Sequence, residues 1–89
     1  MMRQQITITN KLGLHARAAA KLVSCASHFL SDVHLERDGQ RVNGKSIMGV
    51  MMLAASQGCT LEIVASGDDE SEALGAIVNL INDRFGEEQ

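Results

Sequence analysis

The sequence contains no proline, tryptophan or tyrosine, and its only aromatic residues are Phe29 and Phe85. Two aromatic side chains are too few for a platform on which nucleic-acid bases stack. The net charge of −3 at pH 7 also argues against a general affinity for nucleic acid. Because proline is absent, the turns have to rely on glycine, asparagine and aspartate.

Long apolar runs are also absent. No run reaches the length of about 18 residues that a membrane span requires, and Met1-Met2-Arg3-Gln4-Gln5 lacks the apolar stretch of a signal peptide. We therefore expect a cytoplasmic protein with no membrane insertion. With 89 residues, of which 45% are hydrophobic, the chain is expected to form one domain spanning residues 1–89 with its own core.

Cysteine is scarce. Cys25 and Cys59 are too far apart for a CxxC motif, and neither has partners at metal-ligand spacing. They are expected to be free, partly buried thiols. We expect no metal site and no cofactor.

Hydrophobic periodicity predicts the element order β-α-β-β-α-β-α. Strands are predicted near residues 5–9, 33–37, 41–43 and 61–65, with an Asp38-Gly39 hairpin turn. Helices are predicted from His15 to about Leu30, from Ser46 to about Ala55, and after residues 68–70, whose acids suit a helix start. The last helix carries an apolar stripe of Leu74, Ile77, Val78, Ile81 and Phe85. This order predicts an α+β fold, with a four-stranded, mostly antiparallel sheet covered by helices on one face. A ferredoxin-like arrangement gives a similar order, and the sequence does not fix the strand order.

The segment Gly13-Leu14-His15-Ala16-Arg17 opens the first, alanine-rich helix. Free N–H groups and the helix dipole at a helix start attract anions, and they favour a neutral, nucleophilic imidazole at pH 7. Arg17 offers a planar fork of donors suited to phosphate oxygens. His15 can therefore accept a phosphoryl group and stabilise it. On the tripeptide 15–17 alone, a simple cap or surface histidine is the more frequent alternative, but Gly13 adds freedom for a close approach to a ligand.

A second helix start, Gly44-Lys45-Ser46, lies downstream. Ser46 is expected to cap this helix, and a phosphate added to it would meet free N–H groups. The helix is apolar almost all round, and we place Val50, Leu53 and Met52 in the core. Met48 and Met51 fit a core role and a surface role equally well. With Ile47 they are the candidate apolar docking patch.

Both sites together resemble the HPr family of phosphocarriers of the bacterial phosphoenolpyruvate-dependent phosphotransferase system, over essentially the whole chain. Residues 8–17, Ile-Thr-Asn-Lys-Leu-Gly-Leu-His-Ala-Arg, look like the family's active-site segment, and residues 45–51, Lys-Ser-Ile-Met-Gly-Val-Met, look like its regulatory-serine segment. The resemblance implies an open-faced β-sandwich, a four-stranded antiparallel sheet with three helices on one face.

The resemblance also implies roles for individual residues. His15 would take a phosphoryl group on Nδ1 from enzyme I and pass it to an EIIA-type acceptor, with Arg17 assisting. Ser46 would be the target of an HPr kinase/phosphorylase in organisms that have one. Such a protein is a monomeric, stoichiometric carrier and not an enzyme. The expected docking residues are Ala16, Lys21, Lys45, Ile47, Met48 and Met51, and the positive charges near His15 would complement an acidic protein surface or a phosphate.

Two departures from the family pattern stand out. Ala18 occupies the place where the family often has proline, which would soften the loop without removing the chemistry. The first helix is less basic than in many sugar-transport members, and the stretch 10–13 and the alanine-rich helix start look like the nitrogen-related branch. Sugar uptake and regulation therefore both stay open as the role of the partners.

Two other function classes also stay open. One is a regulatory interaction domain whose Ser46 phosphorylation controls docking on a kinase or transcription factor. The other is a small-molecule-binding domain that uses the two helix starts and requires a concave pocket. Retention of His15 argues against regulatory paralogues that lack the active-site histidine.

Overall fold

The computed structural model describes residues 1–88. It contains the predicted order of elements: β1 (Met2–Thr7), α1 (Ala16–Ser27), β2 (Asp32–Arg37), β3 (Gln40–Asn43), α2 (Ile47–Met52), β4 (Thr60–Ser66) and α3 (Glu70–Asn82), followed by a short 3-10 turn at Arg84–Gly86. The predicted turn between β2 and β3 is confirmed. Asp38 and Gly39 both adopt positive φ angles, 50° and 81°, as a two-residue hairpin requires.

The four strands form one antiparallel sheet in the order β1-β4-β2-β3. Since β1 and β2 both run antiparallel to β4, they are parallel to each other, and α1 crosses over the inserted β4. In the same way α2 links the parallel strands β3 and β4 across β2. Two interleaved βαβ units thus place all the crossover helices on one side of the sheet, the side that the alternating apolar residues of the strands face.

The core lies between this sheet face and the helices. Leu61 and Ile63 of β4 and Leu35 of β2 are 0–1% exposed, and Leu22 of α1 and Ile77 of α3 are fully buried against the same cluster. α1 contacts both α2 and α3. Ala18, at the position where the family often has proline, is also fully buried and continues the first turn of α1.

α1 is shorter than predicted. It ends at Ser27 and not near Leu30, and Leu30 is 89% exposed. The Asp69 carboxylate accepts the backbone N–H groups of Leu30 and Ser31, both at 2.9 Å, and the Ser31 hydroxyl. In a longer helix these two N–H groups would donate to carbonyls of the preceding turn. Because they donate to Asp69 instead, the helix ends before Leu30. The Ser31 hydroxyl and the Leu30 N–H also lower the pKa of Asp69.

α2 is also shorter than predicted, ending at Met52 and not near Ala55. The Arg37 guanidinium accounts for this, because it donates to the carbonyls of Leu53 at 2.7 Å and Ala54 at 3.1 Å. Ala54 then turns the chain with a positive φ of 50°. These contacts replace the hydrogen bonds by which further helical turns would satisfy the carbonyl groups.

Two core assignments differ from the prediction in detail. Met52 does not fill a core gap, because it is 65% exposed. Phe85 is buried as predicted, at 1% exposure, but it lies outside α3, in the turn that follows. In residues 1–88, none of the helices is long and apolar enough to cross a membrane.

Candidate functional site

The loop between β1 and α1, residues 8–15, is held by a second loop, residues 53–59, that leads from α2 to β4. Ile8 exchanges backbone hydrogen bonds with this loop, donating to the Cys59 carbonyl and accepting from Gly58, both at 2.9 Å. The Leu14 N–H donates to the Ala55 carbonyl at 2.9 Å. A backbone hydrogen bond at Leu14, immediately before His15, therefore links the start of α1 to the segment that follows α2.

Gly13 makes this fastening possible. Its φ is +66°, and a Cβ at this position would lie 2.5 Å from the Ala55 carbonyl oxygen and 2.8 Å from the Ser56 Cα. Both are backbone atoms that cannot rotate away. Only glycine fits here, which supports the freedom inferred for Gly13 from the sequence.

His15 is the N-cap residue of α1. Its backbone is extended, with φ −73° and ψ 176°, and its Nδ1 accepts the Arg17 backbone N–H at 3.2 Å. An accepting nitrogen carries no hydrogen, so the proton of the neutral ring lies on Nε2. The Nδ1 lone pair therefore points at the N-terminus of a 12-residue helix, where anions are favoured.

Glu87 completes the site and was not identified from the sequence. Its Oε2 contacts His15 Nε2, and its Oε1 accepts from Asn10 Nδ2 at 3.0 Å. Asn10 is fully buried and also donates to the Gly13 carbonyl at 2.8 Å. The hydrogen bonds from Asn10 and His15 lower the pKa of Glu87. No local sequence pattern links Glu87 to His15, which lies 72 positions away.

The cations near His15 differ in how they are used. Arg17 is exposed, and within residues 1–88 its guanidinium makes no hydrogen bond or ion pair. Lys21 donates through Nζ to the Phe85 carbonyl at 2.6 Å, and Lys45 donates to the Phe29 carbonyl at 2.8 Å. The Arg17 guanidinium donors are thus unoccupied within the described residues, whereas Lys21 contacts the C-terminal turn and Lys45 contacts the segment after α1.

Ser46 caps α2 as predicted, because its Oγ accepts the Gly49 N–H at 3.1 Å. The helix buries Val50 and Leu53, and it exposes four apolar side chains at i, i+1, i+4 and i+5 spacing. These side chains form the apolar face of α2: Ile47 (44% exposed), Met48 (77%), Met51 (42%) and Met52 (65%). Ala16, at the start of α1, is also exposed.

Two concave hollows are present in the described part of the chain. One hollow, of about 410 Å³, lies at the β2–β3 turn beside Arg37 and Asp38. Another, of about 330 Å³, lies between residues 11–12 and 87–88. Neither is lined by His15, Arg17 or Ser46, as the small-molecule alternative would require. Within residues 1–88, no group of three or more histidine, cysteine or acidic side chains is placed to hold a metal ion, and Cys25 and Cys59 are free and half-buried.

Comparison with known proteins identifies the family. A family model described as "PTS HPr component phosphorylation site" matches residues 2–83. Phosphocarrier protein HPr of Neisseria meningitidis serogroup A is 54% identical over 87 residues, covering 98% of each chain. The crystal structure of HPr-C-His from Thermoanaerobacter tengcongensis is 52% identical, covers 100% of both chains and has a TM-score of 0.97. An HPr dimer from the same organism, 52% identical, covers 98% of this chain and 100% of its own, with a TM-score of 0.79.

The open antiparallel sheet, with three α-helices and a phosphorylation-site segment, defines a phosphocarrier of the phosphotransferase system. The chain belongs to the HPr family. The fold class expected from the sequence is thereby confirmed, and so is the phosphotransfer role.

The packing at Gly13 generates a stability prediction. Gly13→Ala should lower the free energy of unfolding by about 2–5 kcal/mol, because a left-handed alanine costs about 1–2 kcal/mol and the clash with residues 55–56 adds about 1–3 kcal/mol. Gly39→Ala is the matched control, since Gly39 also has a positive φ but faces open space. It should lose only about 1–2 kcal/mol. Urea unfolding of both variants measures the difference, and equal losses would show that the Ala55 contact is unimportant.

Proposed function

We propose that His15 is the phosphoryl acceptor of this phosphocarrier, charged on Nδ1 by phosphorylated enzyme I and discharged to an EIIA-type protein. The observation that supports this proposal best is the placement of Nδ1 at the N-terminus of α1. When Nδ1 takes the phosphoryl group, the Arg17 N–H that it now accepts becomes a donor to a phosphoryl oxygen. The helix dipole then stabilises the added negative charge.

Arg17 is proposed to bind the phosphoryl group as it moves. Its guanidinium lies on the same first turn of α1 and is exposed. Charge-assisted hydrogen bonds to the equatorial oxygens spread the charge of a loose, metaphosphate-like transition state. Because the donor delivers the group to Nδ1 and the acceptor removes it from the same nitrogen, Arg17 would serve charging and discharge alike.

We propose a single domain spanning residues 1–89 that is a carrier and not an enzyme in its own right. Each transfer consumes the phosphorylated form of one protein and produces that of the next, so the carrier is used stoichiometrically. Ala16 and the apolar face of α2 offer an adaptable surface for both partners, with Lys21 and Lys45 supplying positive charge at its edge. Because the proposed donor is charged by phosphoenolpyruvate, the carrier would act in the cytoplasm. It would do so as a monomer, although an HPr dimer is among the similar structures.

The acceptor assignment is tested by mass measurement after incubation with enzyme I and phosphoenolpyruvate. The wild-type chain should gain one phosphate that is lost in acid and retained in base, the behaviour of a phosphoramidate. His15→Ala should gain none. His34→Ala is the matched control, because His34 lies on β2 and contacts Arg41. An acid-labile phosphate on His15→Ala would show that another residue is the acceptor.

Arg17→Ala should slow phosphoryl transfer by about tenfold or more, since hydrogen bonds to charged groups are worth about 1.5–3 kcal/mol. It should change stability by about 0.5 kcal/mol or less, as exposed substitutions usually do. The melting temperature and kcat/KM are measured together. Arg41→Ala, which removes the same charge from β3, should leave the rate unchanged. A normal rate for Arg17→Ala would remove this residue from the mechanism.

We also propose that Ser46 is a regulatory phosphorylation site for an HPr kinase/phosphorylase. Ser46 is half-buried and caps α2 directly beside Ile47 and Met48. A phosphate there would add about −1.5 to −2 charges next to the apolar face of α2. The helix N-terminus tolerates this charge, whereas a partner surface that has to dock on the apolar face does not.

Ser46→Asp should raise the apparent KM for the carrier in the enzyme I assay by about fivefold, the equivalent of about 1 kcal/mol of repulsion from an acidic partner surface, with kcat little changed. High salt should weaken the effect by screening. Ser46→Ala is the control for loss of the cap. Equal kinetics for wild type, Ser46→Ala and Ser46→Asp at low salt would leave Ser46 with the capping role alone.

The alternative, a regulatory interaction domain, shares the Ser46 site but makes His15 transfer secondary. The effect of replacing His15 distinguishes the two functions. A carrier loses its physiological output when His15 is replaced, whereas a regulator keeps its phosphoserine-dependent partner when His15 is replaced. The acceptor protein, in sugar uptake or in nitrogen regulation, is identified by which EIIA-type protein takes the phosphoryl group from the charged chain.

A further inference from the structure

Residues 84–87 form a turn that brings the chain back to His15, and this turn is fixed by several contacts. Arg84, Phe85 and Gly86 all have positive φ angles, 54°, 56° and 77°, a conformation that is unfavourable for residues other than glycine. Burial of the Phe85 side chain and the Lys21 hydrogen bond to its carbonyl hold the turn in place. The next residue, Glu87, is thereby delivered to His15.

The Glu87 carboxylate is held from two sides. His15 Nε2 contacts one oxygen and Asn10 Nδ2 donates to the other. Asn10 is itself fixed by full burial and by its hydrogen bond to the Gly13 carbonyl. The side chains of His15 and Glu87 are only 27% and 18% exposed, so water screens their contact little.

We infer that Glu87 is a positioning residue for phosphoryl transfer, which holds the proton on His15 Nε2 and neutralises the positive charge that the ring carries while its Nδ1 is phosphorylated. This inference rests on the proposed role of His15. A carboxylate that orients an imidazole and sets its tautomer is a recurrent device in histidine chemistry.

The electron balance shows why the Nε2 proton matters. On charging, the Nδ1 lone pair forms a bond to phosphorus, the donor's bond to phosphorus breaks, and its electron pair leaves with the donor. The ring becomes cationic with its proton still on Nε2, opposite the Glu87 carboxylate. On discharge the Nδ1–phosphorus bond breaks and the ring leaves as neutral imidazole. Without the Nε2 proton it would have to leave as an imidazolate anion, a far poorer leaving group. Glu87 therefore assists both directions.

The surrounding charges on every packed element are consistent with this assignment. Lys21 of α1 faces the same carboxylate and, like His15, helps to lower the pKa of Glu87, after the larger effect of Asn10. Lys11 and Glu88 line the hollow beside it, and on the other edge of the ring the Arg17 backbone N–H donates to Nδ1. Among these groups, Glu87 is the one in contact with Nε2.

The first test needs no partner protein. In the 1H–15N spectrum of the wild-type chain, at a pH about two units above the ordinary imidazole value of about 6.5, the His15 Nε2–H should appear downfield and be protected from exchange with water. Glu87→Ala should lose this signal. Glu88→Ala, which removes the same charge one residue later, should keep it. An unchanged signal in Glu87→Ala would overturn the inference.

The second test follows transfer. Glu87→Gln retains an oxygen that can accept from Nε2–H but lacks the negative charge. We expect it to lower kcat/KM for charging by enzyme I by about tenfold, with Glu87→Ala at least as slow. The rate of discharge should decrease as the pH is raised, and in the phosphorylated variants this decrease should begin at a lower pH than in wild type. The reason is that Nε2 loses its proton more easily without the Glu87 carboxylate. A purely structural anchor would leave that pH profile in place.

Controls separate the competing explanations. Melting temperatures identify any variant that is slow because it is unfolded. If Glu87→Ala is unfolded, the kinetics of Glu87→Gln and the wild-type spectrum are used to test the inference. Wild-type kinetics and pH profile in both Glu87 variants, or faster charging, would overturn the inference while leaving the proposed function of His15 intact. If wild type itself takes no phosphate from enzyme I, the proposed function fails, and the Nε2–H signal then reports on the contact alone.

Discussion

The hydrogen bond from the Leu14 N–H to the Ala55 carbonyl is the constraint on which the site depends. It joins the residue before His15 to the segment after α2, and it leaves no room for a side chain at Gly13. The position of Ala55 is set in turn by Arg37, which captures the preceding carbonyls of residues 53 and 54 and ends α2. A cation on β2 thus determines where α2 stops, and the end of α2 determines where α1 begins.

These contacts connect the two candidate phosphorylation sites, His15 and Ser46, through α2. Ser46 is at the start of α2, and Ala55, which holds Leu14, follows its end. α2 is only six residues long, so its two ends are close together. The packing of α2 against α1 relies on Val50 and Leu53, which leaves the opposite, methionine-rich face uncovered. The same short helix therefore supports the histidine loop, carries the capping serine and presents the apolar surface.

Features encoded by neighbouring residues were predicted well from the sequence. The Asp38-Gly39 turn, the Ser46 cap and the histidine at the start of α1 each depend on a few adjacent residues. The helix ends were predicted less well, because Asp69 and Arg37 act on them from distant positions. Met52 was misplaced for a related reason: a short helix on a small domain buries one side only, and periodicity does not say which of several methionines lies on it. The strand order and the Glu87 contact depend on pairings that the local pattern does not contain.

His15 experiences two different environments on its two nitrogens. Nδ1 accepts a backbone N–H at the positive end of a helix dipole, whereas Nε2 faces a carboxylate. A single imidazole thus has one edge suited to an anion and the other suited to a cation. This polarity distinguishes the two nitrogens more sharply than the chemistry of the ring alone would.

The separation of His15 and Glu87 by 72 positions, together with the pairing of β1 to β4, has a consequence for biosynthesis. The local elements can form as the chain emerges from the ribosome, but the edge strand β1 has to wait for residues 60–65 of β4 and the histidine site for Glu87. Contacts of such long range close late and slowly compared with helices and hairpins. The histidine acquires its complete surroundings only after residue 87 has been translated and released from the exit tunnel, so unfinished chains lack the full site.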